Sequence, residues 1–270
     1  MVSQKGNNFI LTRENYHTTE ANQHYMSRGQ YLDFLTCEAA AVASLCGEWV
    51  DEPSKEFLIG QYVHSFNDNS MSDFIANHPG MFKRDGGLKA EYVQADAMIE
   101  TLRNDPFIMY TLEGQKEVII TAEMFGAKWK VMLDSYNPEK RRMVDIKTAR
   151  SITEHHWNSE YRIKESFVES YNYLTQAAIY AEVERIASGR DPEDWLDFYI
   201  VAVSKQDPPD KAVIDMRSPE RYIQELSEIK ANMPRVLAVK NGEVEPVRCG
   251  LCSYCRATKQ LTETIHYSLL

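Results

Sequence analysis

The pattern of the chain predicts an α/β fold, with a central mixed β-sheet flanked by helices in a single domain. Three observations carry this expectation. Helical periodicity opens the chain, three short β-rich runs follow, and a long helical run then separates these from two more strand-like runs. With 270 residues, one large core is affordable, and about three-quarters of the unfolded surface can be buried. The content of 43% hydrophobic and 26% charged residues is that of a globular chain and excludes general disorder. No apolar run approaches the ~20 residues that span a bilayer. The opening MVSQKGNNFI lacks a signal-peptide core, so a cytoplasmic protein without membrane contact is expected.

The first 26 residues are polar and are expected to be poorly ordered. From Ser27, the apolar residues Tyr31, Phe34, Leu35, Ala39, Val42 and Leu45 recur at helical spacing up to Gly47. A second helix is predicted over Ser54–Phe66. Asn67–Lys89, rich in turn formers, reads as irregular. Glu91–Arg103 reads as a third helix, stopped at Asn104-Asp105-Pro106. Lys116–Met124, Ala127–Tyr136 and Arg142–Ala149 are β-rich, with Asn137-Pro138-Glu139-Lys140 as turn chemistry between the last two. A long helix over Glu165–Ser188 is closed by Gly189. Strands are predicted at Trp195–Ser204 and Lys211–Met216, and Ser218-Pro219-Glu220 opens the last helix. The expected organisation is a core domain over 27–248 and a cysteine-rich tail over 249–270 that packs on the N-terminal helix.

The balance of 30 basic against 40 acidic residues gives a net charge of −10. That argues against a protein that merely coats nucleic acid, where affinity comes from Lys and Arg on phosphates. An enzyme with one local basic groove remains compatible. Five cysteines, an odd number without an export signal, favour metal ligation over disulfides.

The chemistry concentrates in one hairpin. Asp134 ends KWKVMLD, and Asp145 and Lys147 lie in MVDIK. Strand alternation puts Asp145 and Lys147 on one face and Val144 and Ile146 on the other. A tight turn centred on Glu139 and Lys140 places Asp134 opposite Asp145, and one centred on Pro138 and Glu139 leaves the two diagonal on the same face. Two carboxylates so close repel unless a cation joins them, and oxygen ligands suit Mg²⁺ or Mn²⁺. Taken singly, each residue has an ordinary reading. A surface hairpin commonly shows an Asp and a Lys, a lone helical His64 is commonly structural, and Gln176 with Tyr180 is an unremarkable i, i+4 pair.

In combination and order, however, these residues resemble the PD-(D/E)xK nuclease superfamily, within it the RecB-like group, and most closely phage exonucleases of the RecE (exodeoxyribonuclease VIII) type. Gly60-Gln61-Tyr62-Val63-His64 fits the family's G-x-x-x-H helix, Asp145-Ile146-Lys147-Thr148 its (D/E)-x-K-T strand, and Gln176 with Tyr180 its Q-x-x-x-Y helix. Phe34–Ala41, followed by Gly47-Glu48, is similar to the N-terminal helix of the phage proteins. Leu133 stands where the superfamily name has proline. The resemblance runs from about Tyr31 to Lys259.

The resemblance implies a Mg²⁺- or Mn²⁺-dependent DNA exonuclease. His64, Asp134, Asp145 and the Ile146 carbonyl would hold the metal. Lys147 would orient water and offset charge, and Gln176 and Tyr180 would position the terminal nucleotide. It also implies linear duplex ends as substrate, 5′→3′ polarity, a RecT-like single-strand annealing protein as partner, a homo-oligomeric ring, and a phage or prophage origin. An endonuclease or CRISPR-adaptation nuclease of the same group, and a non-catalytic DNA-binding protein, are the alternatives. Lys128, Lys130, Lys140, Arg141, Arg142, Lys147 and Arg150 supply a local basic face, of which Lys128, Lys130 and Arg150 are the DNA-contact candidates. Absence of a G-x-x-x-x-G-K-[ST] loop argues against ATP-driven translocation. Cys249, Cys252 and Cys255 form C-x2-C-x2-C and need a fourth ligand, for which Cys37 is the candidate. A 4Fe–4S cluster of the type in some RecB-like nucleases leads, with Zn²⁺ or free thiols as alternatives; Cys46 reads as a buried helix residue.

Overall fold

A computed structural model describes residues 9–50, 52–159, 162–264 and 266–269. The chain divides into two compact units. One comprises residues 1–51, 125–128 and 230–270, and the other 52–124 and 129–229.

In the first unit, the polar N-terminal stretch is more structured than its composition predicts. Residues 1–8 lie outside the described residues, but Thr18 caps α1 (Thr19–His24), and Tyr16, Ala21 and Met26 are buried. The expected single helix from Ser27 is two helices, α2 (Arg28–Thr36) and α3 (Glu38–Leu45). They break at Cys37, whose backbone is extended (φ −162°, ψ 104°) while its thiol points to the tail cysteines.

The second unit holds the sheet. Its first helix, α4 (Lys55–His64), is capped by Ser54, whose hydroxyl accepts from the Phe57 amide. The segment expected to be irregular carries a short helix, α5 (Met71–Asn77), because Met71, Phe74 and Ile75 pack on the core despite the polar residues around them. Helix α6 (Ala90–Arg103) buries Tyr92, Ala95, Met98, Ile99 and Leu102 along one stripe. It stops where expected, but Asp105 then caps a further helix, α7 (Pro106–Thr111), with proline at its first position.

Strands β1 (Gln115–Met124), β2 (Ala127–Asn137) and β3 (Arg142–Ala149) follow within one or two residues of expectation. A small hairpin, β4 (His156–Asn158) and β5 (Ile163–Glu165), was not foreseen. The predicted long helix is divided into α8 (Phe167–Ser170) and α9 (Tyr173–Ala187) by Asn172, which has a left-handed backbone at φ 53°. Strands β6 (Asp197–Ser204) and β7 (Lys211–Asp215) complete the sheet, in the order β1-β2-β3-β6-β7. Neighbours β2/β3 and β6/β7 are antiparallel, while β3/β6 is parallel, with Asp145 beside Ile200 and Lys147 beside Ala202. Helices α4, α6 and α7 cover one face, where Val144, Ile146, Val201 and Val203 join their apolar stripes; α9 packs on β1 and β6.

Helix α10 (Pro219–Lys240) runs through both groupings of residues, and α11 (Ser253–Ala257) lies in the tail, again within the first unit. Among the described residues no helix is long and apolar enough to cross a membrane.

Candidate active site

The β2–β3 pairing sets the site. Ser135 faces Val144 and Asn137 faces Arg142, so one further step would put Asp134 opposite Asp145, the register read from a turn at Glu139 and Lys140. The regular ladder ends at Ser135. Beyond it, the Ile146 amide donates to Asp134 Oδ2 at 2.6 Å, so a carboxylate replaces the backbone acceptor and the strands part at the site. His64, at the last position of α4, lies with Nδ1 at 3.3 Å from the same oxygen.

Alternation along β3 does the rest. Val144 and Ile146 enter the core, and Asp145 and Lys147 project from the other face. Asp145 is 4% exposed. Its Oδ1 accepts from Gln176 of α9 at 2.6 Å, and its Oδ2 lies 2.7 Å from Lys147 Nζ. That approach lacks hydrogen-bond geometry, which leaves Oδ2 a buried oxygen without an aligned donor. An oxygen so placed retains lone pairs for a cation. Lys147 Nζ also sits 4.9 Å from the centroid of the Tyr173 ring.

Electrostatics follow from burial and pairing. Burial opposes the His64 imidazolium, but the Asp134 carboxylate overcomes it and raises the pKa to about 9. Burial would raise Asp134, yet His64 and the Ile146 amide hold it below the usual carboxylate range. Asp145 is pushed up, by burial first and then by Asp134, more than Lys147 offsets. Burial disfavours the Lys147 ammonium, and Asp145 reverses this and keeps it charged. One imidazole beside two carboxylates is a donor set that fits a hard divalent ion once His64 gives up its proton.

Residues that sequence reasoning missed stand behind these groups. Asn67 donates from Nδ2 to the Asp134 carbonyl at 2.7 Å, while its Oδ1 accepts from Lys116 Nζ at 2.7 Å, which fixes the amide's orientation. Lys116 also donates to Ser135 Oγ at 3.0 Å. Asn67 follows His64 by three residues, and Tyr173 precedes Gln176 by three on one helix, so helical spacing from the known members was the available signal. Tyr180, one turn beyond Gln176, sets its ring edge-on to Phe198 at 5.8 Å.

The expected basic face is smaller than read. Lys130 is 1% exposed, because both faces of β2 are covered, so it is not a DNA contact. Arg142 is buried too, donating to the Tyr110 carbonyl at 2.6 Å. Lys140 pairs with Glu113 at 2.7 Å and Arg141 with Asp194 at 2.5 Å. Lys128 and Arg150 are exposed.

In the first unit, Cys37, Cys249, Cys252 and Cys255 bring their sulfurs within 4.8 Å of one another. The Cys37–Cys255 and Cys249–Cys255 separations are 3.6 and 3.9 Å, too long for disulfides. The Leu251 and Cys252 amides both donate to Cys249 Sγ, and this lowers its pKa to about 6. Cys249 is thus the thiolate-favouring member of a group of four sulfurs close enough together to hold a metal. Cys46, read as buried, is exposed and stands outside the group.

Comparison with known proteins agrees with this geometry. The family described as a PDDEXK-like domain of unknown function (DUF3799) matches residues 27–258. A crystal structure from Eubacterium rectale, of a protein provisionally named an exonuclease, is 39% identical over 96% of this chain and 97% of its own, with a TM-score of 0.90. A second solved structure, SSO0001, aligns at 12% identity and a TM-score of 0.27, too low to carry an argument. No curated protein matches. With its mixed sheet, its parted strands and the Asp-x-Lys strand beside Asp134, the chain belongs to the PDDEXK-like family, and through it to the PD-(D/E)xK superfamily.

Proposed function

We propose that the protein is a divalent-metal-dependent deoxyribonuclease that hydrolyses phosphodiester bonds from the ends of linear duplex DNA, as RecE-type exonucleases do. One observation carries this reading: Asp134, Asp145, Lys147 and His64 converge, and the convergence leaves a buried Asp145 oxygen without an aligned donor. Asp134, Asp145, His64 and the Ile146 carbonyl would hold Mg²⁺ or Mn²⁺. When bound, such an ion polarises the phosphate and acidifies a water.

The protein's own groups do the remaining work. Gln176 pins Asp145 through Oδ1, so that Oδ2 is presented in one orientation. Lys147, held charged by the two carboxylates, offsets negative charge that grows on the phosphate oxygens. Asn67 and Lys116 fix the backbone at Asp134 and so the distance between the two acids. Tyr180 supports the wall formed by α9 and β6. Lys128 and Arg150 are the remaining phosphate-contact candidates. The 39% identical neighbour's provisional name supports exonuclease over endonuclease activity. Polarity of 5′→3′, a ring-shaped homo-oligomer and a single-strand annealing partner rest on the RecE resemblance.

For the four thiols, we infer one tetrahedral ion, zinc, in preference to the 4Fe–4S cluster. Four thiolates on one zinc stand about 3.8 Å apart, given a Zn–S bond of about 2.3 Å. Thiolates on four different irons of a cubane stand several ångström further apart. Separations of 3.6 and 3.9 Å, all within 4.8 Å, fit the single ion.

The test is degradation of linear and covalently closed duplex DNA with Mg²⁺ or Mn²⁺, by wild type, Asp145→Ala and Lys147→Ala. Wild type is expected to consume the linear DNA and spare the circle, with each variant slowed at least about 100-fold. Equal rates in all three proteins would refute the site. Cleavage of the circle would replace the exonuclease by the endonuclease reading.

A further inference from the structure

The mechanism leaves unused a row of aromatic rings that runs from the surface to Lys147. Tyr173, whose ring lies against the Lys147 ammonium, stacks on Tyr171 with centroids 5.8 Å apart and planes at 21°. Tyr171 is met edge-on by His156 at 5.9 Å and is 51% exposed. Trp157, the next residue in the strand, points with its cross-strand partner Lys164 to the opposite face of the β4–β5 hairpin, and both are exposed.

The stack has a specific backbone cause. In a continuous helix, residues two apart point to different sides, so Tyr171 and Tyr173 could not stack. Asn172 between them adopts φ 53° and interrupts the helix there. The capping box of Ser166 and Glu169 begins the short helix that precedes Tyr171, and buried Phe167 packs edge-on to Tyr173 at 5.9 Å. Asparagine is one of the few non-glycine residues that adopt this left-handed backbone readily. Its effect is to hold one half-exposed ring in line with another that touches Lys147.

We propose that His156, Tyr171 and Tyr173, beside the Lys147 ammonium, form a platform on which unpaired nucleotide bases stack as a strand end enters the site. Aromatic rings interleaved with cationic side chains are the composition that binds single strands without sequence preference, because every base has a π-face and every linkage a phosphate. A duplex cannot insert its paired bases between such rings, so the platform selects an end that is frayed or carries an overhang. The inference rests on the nuclease reading for the role of that end. The stacking surface itself rests on the rings.

The experiment measures binding apart from hydrolysis. Fluorescence anisotropy in EDTA would compare a labelled single-stranded oligonucleotide with a blunt duplex, for wild type, Tyr171→Ala, Tyr171→Phe and Trp157→Ala, each with its melting temperature checked. Wild type is expected to bind the single strand. Tyr171→Ala should weaken that binding by about 5- to 100-fold, the range for loss of one stacked base, and change duplex binding less than about twofold. Tyr171→Phe, which keeps the ring, and Trp157→Ala, on the other face of the hairpin, should bind like wild type. Wild type that does not bind the single strand, or Tyr171→Ala that binds it unchanged, would overturn the platform. So would equal losses on single strand and duplex, or a change in self-association alone, which would make the hairpin a protein contact. A platform that passes in a protein without hydrolysis would sink the nuclease reading and leave the stacking surface standing.

Discussion

The Ile146 amide donates to the Asp134 carboxylate at 2.6 Å, at the step where regular β2–β3 pairing ends. One carboxylate therefore serves as a strand-pairing acceptor, as the counter-ion of His64, and as a metal-ligand candidate. Asp145 has no comparable structural duty, since its partners are the side chains of Gln176 and Lys147.

The two acids should thus separate by stability. In metal-free protein, Asp134→Ala strips the acceptor from a buried amide and the counter-charge from a buried imidazolium, and it is expected to cost about 2–4 kcal/mol. Asp145→Asn keeps an acceptor for Gln176 and removes a charge that burial disfavours, but takes the nearest counter-charge from Lys147, so its cost should be smaller, about 1–2 kcal/mol. Denaturant unfolding in EDTA measures both, and a larger loss for Asp145→Asn would contradict the assignment. Both variants should lose hydrolysis.

Metal binding should release a proton near neutral pH. The metal-free His64 pKa is raised to about 9, so at pH 7 the ring is protonated and must lose that proton to become a ligand. Affinity for Mn²⁺ should therefore rise with pH up to about 9, by as much as tenfold per unit, and level off above it. Calorimetry in buffers of different ionisation enthalpy counts the proton, and His64→Gln should abolish the release.

Lys130 gives a second pH signature, of opposite sign to that of an ion pair. Burial lowers its pKa from 10.5 to about 8. Below about 8, the ammonium is present in both the folded and unfolded chains and the full burial cost applies. Between about 8 and 10.5, the unfolded chain holds a proton that the folded chain has lost, so this residue's contribution to stability grows with pH. Lys130→Met should flatten the stability profile over that window, removing a rise of at most about 3 kcal/mol. An unchanged slope would exclude Lys130 as its source.

Two glycines should respond differently to alanine. Gly114 has φ +135°, and a methyl there would press into the Tyr136 carbonyl of β2, so Gly114→Ala should cost at least about 2 kcal/mol. Gly60, in the G-x-x-x-H helix, would place its methyl 3.7 Å from Thr148 Oγ1, an ordinary contact. Gly60→Ala should change stability by less than about 1 kcal/mol. Thermal melting of the two variants decides it.

For the thiols, metal analysis of protein purified without chelator should find about one zinc per chain and no broad visible absorption. Cys255→Ser should lose the metal and melt lower, whereas Cys46→Ser should alter neither. Iron in excess of zinc would restore the cluster.

The site was legible to the extent that it depends on alternation and helical spacing. Asp145 and Lys147 share a face because strands have period two, and either turn, at 139/140 or at 138/139, kept Asp134 near them; the observed pairing follows the first. Single-residue backbone events stayed hidden. Cys37 and Asn172 each break an apolar helical pattern without glycine or proline, and tertiary contacts at their side chains and neighbours decide their conformation. Lys130 was misread because a charged residue in an alternating strand normally marks a solvent face, and β2 has none over that stretch. The hairpin of β4 and β5, three residues on each side, is too short to raise a periodic signal.

The sulfur quartet draws on positions 218 residues apart. During synthesis, Cys37 emerges long before Cys255, and every strand of the sheet is translated in between. A nascent or prematurely stopped chain can hold the lone thiol but not the complete chelate. An ion held by all four sulfurs would therefore bind only those molecules whose distal segment has been made.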